Sequence, residues 1–270
     1  MKTVVITGSS SGIGKAAAIY FQLQGWQVAA TMRSPEKEKE LNNLPNVKLY
    51  ALDVTQPASV EQTLQEIQKD FSKIDVVVNN AGFGADGVFE SMSDEFIEKQ
   101  FDPNVFGLMR VTREAVKIMR TQKGGTIVQI ASVGGRVAFP LYSIYHGTKW
   151  AVEGFTESLQ YEVAQFNIKL KLIEPGAIKT EFYGRSRAFM KPDYTTDYNE
   201  FVKKCEAVSM DAGDKGASPE AVAKVIFKAA NDSSTKMRYP IAYPANLLLP
   251  LRRLVSERFF FWAVKQSYRI

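Results

Sequence analysis

Residues 7–14 read Thr7-Gly8-Ser9-Ser10-Ser11-Gly12-Ile13-Gly14, and they join a short β-branched run to a segment of helical periodicity. Glycines at such a junction permit a tight turn and let backbone amides approach a bound anion. The N-terminus of the following helix adds partial positive charge at the same point. The motif therefore predicts a cradle for the pyrophosphate of a dinucleotide, made by Gly8, Ser10, Ser11, Gly12, Ile13 and Gly14. Taken alone, the spacing T-G-x-x-x-G-x-G also fits an ordinary strand-to-helix turn.

Apolar runs rich in β-branched residues alternate with longer stretches of helical period along the rest of the chain. The runs predict strands at 3–7, 26–32, 47–52, 74–79, 126–131, 168–173 and 238–242. The intervening stretches predict helices at 12–24, 59–71, 94–120, 145–165 and 218–230. Such alternation is typical of parallel sheets with crossover helices. The sequence therefore predicts a single α/β domain over residues 1–270, with helices on both faces of a doubly wound, seven-stranded parallel sheet.

Composition excludes several other classes of protein. The 270 residues are 45% hydrophobic and 23% charged, near the averages for globular domains, which argues against disorder and against a membrane bundle. The apolar run at 259–264 is too short to span a bilayer, and residues 1–6 lack the apolar stretch of a secretory signal. We therefore expect a cytoplasmic protein. A single cysteine, Cys205, and a single histidine, His146, preclude an internal disulfide and a histidine-rich metal cluster, so no metal is expected.

The net charge of +5 is concentrated near one end of the chain. Five cations and one acid lie between residues 239 and 270, so this segment carries four of the five net positive charges. Nucleic-acid-binding domains instead show a basic stripe on the folded body. The distribution therefore argues against nucleic acid as a partner.

Further short motifs follow the predicted elements in order. They are Asn79-Asn80-Ala81-Gly82 after the fourth strand, Asn104 in the long helical stretch, Ser132 after the fifth strand, Tyr145 and Lys149 as Y-x-x-x-K, and Pro175-Gly176 after the sixth strand. With this order and spacing, the chain resembles the classical short-chain dehydrogenases/reductases over nearly its whole length. The resemblance implies a Rossmann fold and an oxidoreductase that uses a nicotinamide cofactor.

The spacing of Tyr145 and Lys149 has a chemical consequence of its own. Residues one helical turn apart project from the same face of a helix. An ammonium beside a phenol stabilises the phenolate and lowers the pKa of the phenol from its ordinary value of about 10. Tyr145 is therefore predicted to act as an acid or base near neutral pH, while Ser132 donates a hydrogen bond to a substrate carbonyl oxygen.

The resemblance implies further roles that spacing alone does not show. It implies that Lys149 also binds the nicotinamide ribose and that Asn104 holds a water linking Lys149 to solvent. Pro103, which lacks an amide donor, is expected to break the helix locally beside that water. The remaining cofactor contacts implied are Asp53 and Val54 at the adenine, Asn80, Ala81 and Gly82 after the fourth strand, and Pro175, Gly176, Ile178 and Thr180 around the nicotinamide. Asp53 equally fits a cap of the following turn.

Two alternative functions stay open at this point. Tyr142 lies seven residues before Lys149, a spacing that resembles enoyl reductases, which reduce a carbon–carbon double bond. The glycine spacing and Ser132 favour Tyr145. The other alternative is a protein that senses NADP(H) without turnover, although the presence of both tyrosine and lysine argues against it.

The cofactor preference is predicted from the end of the second strand. NAD-selective sites usually place an acid there, which repels a 2′-phosphate. The chain instead reads Ala30-Thr31-Met32-Arg33-Ser34, and Arg33 is suited to a charge-assisted contact with that phosphate. NADP(H) is therefore predicted, in preference to NAD(H).

The substrate is expected to be an apolar carbonyl compound or alcohol. Ligands of doubly wound sheets bind beyond the carboxyl ends of the strands. Here the residues after Ser132, and a lid-like insertion at 180–216, supply an apolar lining of Val133, Val137, Phe139, Leu141, Tyr142, Phe182 and Tyr183. Local sequence also resembles the branch of the family that includes 17β-hydroxysteroid and retinol dehydrogenases.

The apolar and basic extension at 243–270 shows helical spacing of its large apolar side chains. It predicts a helix that packs on the body or on a partner and covers the substrate mouth. Contact with a membrane surface is the alternative. The resemblance also implies a homodimer or homotetramer.

Overall fold

The computed structural model describes residues 1–180 and 188–270. Its strands are β1 (Thr3–Thr7), β2 (Gln27–Met32), β3 (Val47–Ala51), β4 (Val76–Asn79), β5 (Ala85–Gly87), β6 (Gly125–Ile130), β7 (Ile168–Pro175), β8 (Ala188–Met190) and β9 (Arg238–Ile241). Seven of them form one parallel sheet in the order β3-β2-β1-β4-β6-β7-β9. The strand order reverses beside β1, and such a reversal opens a crevice at the carboxyl ends of the strands. The predicted seven-stranded, doubly wound sheet is confirmed.

Helices cover both faces of this sheet. They are α1 (Gly12–Leu23), α2 (Pro57–Phe71), α3 (Asp94–Phe101), α4 (Leu108–Thr121), α5 (Ser143–Val163), α6 (Asn199–Asp214), α7 (Pro219–Asn231), α8 (Ala245–Leu254) and α9 (Glu257–Tyr268). Val4 and Ile6 of β1 pack with α1 and α7, whereas Val5 packs with α2 and α4 on the opposite face. Because successive side chains of a strand point to opposite faces, the apolar centre of this strand is buried on both sides.

The predicted helix at 94–120 is wrong as a single element, because the structure divides it. A π-helical turn at Asp102–Gly107 separates α3 from α4. Pro103 stands at the start of that turn, where its missing amide interrupts the regular hydrogen bonding. The local break expected at Pro103 is confirmed, and it places Asn104 inside the irregular turn.

The insertion and the tail contain regular elements that the sequence pattern did not delimit. The insertion holds β8, which pairs with β5 beside the main sheet, and α6. Phe182 and Tyr183, predicted to line the substrate pocket, lie outside the described residues. The tail forms two helices, α8 and α9, separated at Val255 and Ser256. The insertion and the tail both lie at the carboxyl ends of the strands and so border the crevice.

Candidate active site

A single cavity of about 1130 Å³ occupies the crevice at the carboxyl ends of β1, β2, β3, β4, β6 and β7. Most residues predicted to touch a cofactor or substrate line it. These are Gly8, Ser10, Ser11, Gly12, Ile13, Arg33, Asp53, Val54, Asn80, Ala81, Gly82, Ser132, Tyr145, Lys149, Pro175, Gly176, Ile178 and Thr180. Among the residues predicted to hold the cofactor or to carry the reaction, Gly14 and Asn104 lie outside the lining.

Gly14 lies behind the cradle instead of at its surface. A Cβ atom there would overlap the carbonyl oxygen of Gly8 and the side-chain amide of Asn80. Glycine thus allows α1 to start directly against the loop. Gly8 and Gly12 adopt φ values of +70° and +55°, the left-handed region that glycine enters at little cost.

Two polar side chains hold the cradle loop against the end of β4. The Asn80 amide donates to the carbonyl oxygens of Thr7 and Gly8, at 2.9 and 3.1 Å. The Thr7 hydroxyl accepts the amides of Asn80 and Ala81, both at 3.0 Å. This role of Thr7 was not predicted from the sequence. The signal that could have indicated it is a hydroxyl directly before the glycine turn, at the first position of the motif.

The loop and helix fit a dinucleotide pyrophosphate. The first turn of α1 contains no acidic residue, and among the described residues the N-cap Ser11 makes no side-chain hydrogen bond to its amides. These N–H groups therefore face the cavity with the positive end of the helix dipole behind them. Gly8, Ser10, Gly12 and Ile13 would hold the phosphates of a bound nucleotide.

Arg33 and Asp53 line the far end of the same cavity. Arg33 directly follows β2 and is exposed, so its guanidinium is available to a ligand phosphate. Asp53 accepts hydrogen bonds from the backbone and hydroxyl of Thr55, at 2.9 and 2.7 Å. Asp53 therefore caps the turn that follows β3, which was the alternative to an adenine contact. It also borders the cavity.

Tyr145 and Lys149 project together from α5. The Lys149 Nζ lies 5.8 Å from the centroid of the Tyr145 ring and donates to the carbonyl oxygen of Ile130 at 2.9 Å. Desolvation lowers the pKa of Lys149 to about 8, and the charge of Glu153 opposes this effect. The ammonium is thus fixed beside the phenol by a backbone acceptor, as the Y-x-x-x-K spacing requires.

Glu153 belongs to a buried ionic cluster behind the lysine. Its carboxylate pairs with Arg238 at 3.0 Å, and Glu174 pairs with Arg136 at 3.1 Å. Burial and the neighbouring Glu174 raise the pKa of Glu153 to about 7, while Arg238 lowers it. No sequence pattern indicates this cluster, because its members come from four separate elements.

Ser132 stands at the end of β6, where it caps a short turn. Its Oγ accepts the amide of Gly134 at 3.0 Å. A hydroxyl that accepts one hydrogen bond still has a proton to donate. Ser132 is therefore arranged to donate that proton to an oxygen atom in the cavity.

Asn104 fixes the loop after β4. Its Oδ1 accepts the amide of Phe83 at 3.0 Å, and its Nδ2 donates to the carbonyl oxygen of Phe83 at 2.9 Å. A longer contact of 3.3 Å joins Nδ2 to the Thr148 hydroxyl on α5. Asn104 thus couples the loop to the helix that carries Tyr145, and its water-binding role stays a prediction.

His146 supports the loop that carries Phe139. Its Nε2 accepts the Phe139 amide at 2.9 Å, and burial lowers the pKa of His146 to about 4. The imidazole is thus neutral near pH 7 and serves as an acceptor. This contact explains why a large polar residue stands next to Tyr145.

The substrate end of the cavity has apolar walls. Val133, Phe139 and Tyr142 line it as predicted, together with tail residues Leu248, Leu251, Phe259, Phe260, Val264 and Tyr268. Val137 and Leu141, predicted to line the pocket, are absent from the described lining. Val137 packs with Ala245 and Leu249, and Leu141 packs with Val202 and Cys205. Both side chains therefore support the cavity wall from behind and do not face the cavity.

A nucleotide-sized crevice that ends at a tyrosine–lysine pair defines a Rossmann-fold oxidoreductase. The family model described as short chain dehydrogenase matches residues 2–191, and the chain belongs to this family. Within residues 1–180 and 188–270, no helix has the length and apolar character needed to cross a membrane.

Several curated relatives match over most of their length. The chain is 34% identical to an uncharacterized oxidoreductase, YusZ, of Bacillus subtilis, with 98% of this chain and 96% of that protein covered. It is 32% identical to a 3-ketodihydrosphingosine reductase of Bacteroides thetaiotaomicron, covering 83% and 82%. It is 31% identical to an NADPH-dependent 3-dehydrocapnine reductase of Ornithobacterium rhinotracheale, covering 96% and 94%.

Solved structures share the fold over most of the chain. A short-chain dehydrogenase from Streptomyces avermitilis superposes with a TM-score of 0.83 at 29% identity, covering 98% of this chain and 97% of that one. ElxO with NADP bound superposes with a TM-score of 0.74 at 31% identity, covering 89% of this chain and 96% of that one.

Proposed function

We propose that this chain is an NADP(H)-dependent carbonyl reductase and alcohol dehydrogenase for apolar substrates. The observation that carries the proposal is the position of Tyr145 and Lys149, which lie where the nucleotide crevice meets an apolar chamber. The NADP-bound ElxO structure and the NADPH-dependent 3-dehydrocapnine reductase support the choice of cofactor. NADP(H) supplies or accepts the hydride when bound.

The chain's own residues provide the proton chemistry. Ser132 donates a hydrogen bond to the carbonyl oxygen and stabilises the negative charge that develops there. Tyr145 delivers the proton to that oxygen, and in the reverse direction removes it. Lys149 keeps the phenolate form accessible through its charge. Asn104 and Thr148 hold the helix and the loop on either side of this group.

The apolar chamber favours a ketone with a long hydrocarbon portion. Its walls combine Val133 and Phe139 with aromatic and aliphatic side chains of α8 and α9. Two relatives are named for the reduction of 3-ketodihydrosphingosine and 3-dehydrocapnine. We infer a substrate of this amphipathic kind, with a carbonyl near its polar end.

The direct test is NADPH oxidation against a series of ketones whose alkyl chains increase in length. We expect kcat/KM to rise by about four-fold for each methylene that enters the chamber, since a buried methylene contributes about 0.8 kcal/mol. Activity that does not respond to chain length contradicts the substrate class. Tight NADPH binding with no turnover on any ketone favours the sensor, and turnover of enones alone favours the enoyl reductase.

Arg33 is expected to decide the choice between the two nicotinamide cofactors. Its substitution, Arg33→Ala, removes an exposed cation from the adenosine end of the cavity. We expect the KM for NADPH to rise by about ten-fold or more, because a charge-assisted contact to the 2′-phosphate is lost, while the KM for NADH changes little. Steady-state kinetics with both cofactors measure this. The matched control is Lys37→Ala, which removes a nearby exposed cation; an equal effect of both variants would show that Arg33 makes no specific contact.

A further inference from the structure

The outer side of the tail combines apolar and basic side chains. On α9, Arg258, Phe261, Trp262 and Lys265 follow the spacing i, i+3, i+4 and i+7, which places them on one face of the helix. All four are exposed, and Trp262 retains 55% of its accessible surface. Large aromatic side chains interleaved with cations are the pattern of helices that lie at a lipid–water interface.

The opposite face of α9 is turned toward the cavity. Phe260, Val264, Ser267 and Tyr268 share that face and line the cavity, with Phe260 and Tyr268 buried. The helix is therefore anchored to the body by its inner face. On the outer face, Phe261 and Trp262 are half exposed, and the Arg252 guanidinium lies 5.9 Å from the Phe261 ring centroid.

The end of the neighbouring helix also exposes an apolar and a basic side chain. Leu254 at the end of α8 is 82% exposed, and Arg253 beside it is also exposed. The one acid of the tail, Glu257, pairs with Arg252 at 3.1 Å. Glu257 thus compensates the charge of Arg252. Its carboxylate does not offset the charges of Arg253, Arg258 and Lys265.

The exposed face lies next to the cavity mouth. Tyr243 and Phe259 both line the cavity and are exposed, at 72% and 49%. The Phe259 ring also contacts the Trp262 ring, with centroids 5.5 Å apart, so the edge of the cavity adjoins the aromatic side of α9. The mouth and the aromatic face belong to one continuous surface.

We propose that this surface, which we call the tail face (Arg253, Leu254, Arg258, Phe261, Trp262 and Lys265), binds the surface of an anionic lipid bilayer. The aromatic side chains enter the interface while the cations contact the lipid phosphates. A second copy of the chain fits less well, because a symmetric interface pairs a patch with itself and would bring these cations together. On the membrane, the cavity opens toward the lipid.

Sedimentation of the full-length protein with vesicles tests the proposal without measuring turnover. Vesicles of phosphatidylcholine alone are compared with vesicles that also contain phosphatidylserine, at low and high salt. We expect binding to the phosphatidylserine vesicles that weakens with salt. The variant Arg258→Gln/Lys265→Gln is expected to lose at least about ten-fold in partitioning, since each cation near such a surface contributes about five-fold.

The aromatic contribution is tested by Phe261→Ser/Trp262→Ser, which is also expected to lose about ten-fold or more. The matched control is Leu23→Ser, because Leu23 is an apolar residue on α1 that is at least as exposed as the two aromatic residues. Thermal unfolding verifies that every variant is folded. Equal sedimentation of the parent and both tail variants overturns the proposal. So does a change of oligomeric state in the variants, seen by size-exclusion chromatography, without any vesicle binding by the parent.

Discussion

Tyr145→Phe is expected to lower kcat for ketone reduction by about 10²- to 10⁴-fold, the range attributed to a positioned general acid. The substitution removes one hydroxyl from a half-buried ring and leaves the ring packing in place. The dissociation constant for NADPH should therefore stay within about two-fold, because the cradle loop, Arg33 and Lys149 are unchanged. Stopped-flow reduction and fluorescence titration measure the two quantities.

Tyr142→Phe is the matched control for this result. The two rings are neighbours, with centroids 6.3 Å apart, and both line the cavity. Loss of a hydroxyl from Tyr142 should leave ketone turnover within about five-fold of the parent, since the Lys149 ammonium is the partner of Tyr145. Loss of turnover in Tyr142→Phe but not in Tyr145→Phe would transfer the role of the acid to Tyr142.

Lys149→Met is expected to lower kcat by about 10²- to 10³-fold and to weaken NADPH binding as well. Methionine has a similar length and is apolar, so the variant removes the charge with little loss of packing. For alcohol oxidation, which needs the phenolate as base, the pH profile should shift to higher pH. The reason is that the phenolate loses the cation that stabilises it.

The control for this variant is Lys99→Met. Lys99 also lines the cavity but stands on α3 and is exposed. Its loss should leave the pH profile unchanged. An unshifted oxidation profile in Lys149→Met would mean that the ammonium does not act on the phenol.

The sheet was predictable because its signals are local. Strand β1 has an apolar, β-branched centre and is followed by glycines at Gly8 and Gly12, so the strand pattern and the turn chemistry agree there. The division of the helix at 94–120 was only partly predictable. Pro103 indicated a break, but whether the chain continues as α4 after such a break depends on packing against the sheet.

The residues of the candidate site also divide into those that local sequence signals predict and those that depend on tertiary packing. Tyr145, Lys149 and Ser132 follow from short motifs on one helix and one strand end. The contacts that hold these residues in place do not follow from short motifs. His146 binds the Phe139 amide across seven residues, and Glu153 pairs with Arg238 across 85 residues. Such contacts are set by tertiary structure, and no local pattern encodes them. The apolar chamber was misassigned at Val137 and Leu141 for the same reason, because the tail helices that bury Val137 are distant in sequence.

The most direct test of the reductase assignment is the fate of the hydride. NADPH carrying two deuterium atoms at its hydride-donating carbon is incubated with a long-chain α,β-unsaturated ketone and the full chain, and the product is analysed by mass spectrometry and NMR. We predict an alcohol with one deuterium on the carbinol carbon, formed by the parent and lost in Tyr145→Phe. Deuterium on a carbon of a reduced double bond, or an alcohol without label, would contradict the mechanism.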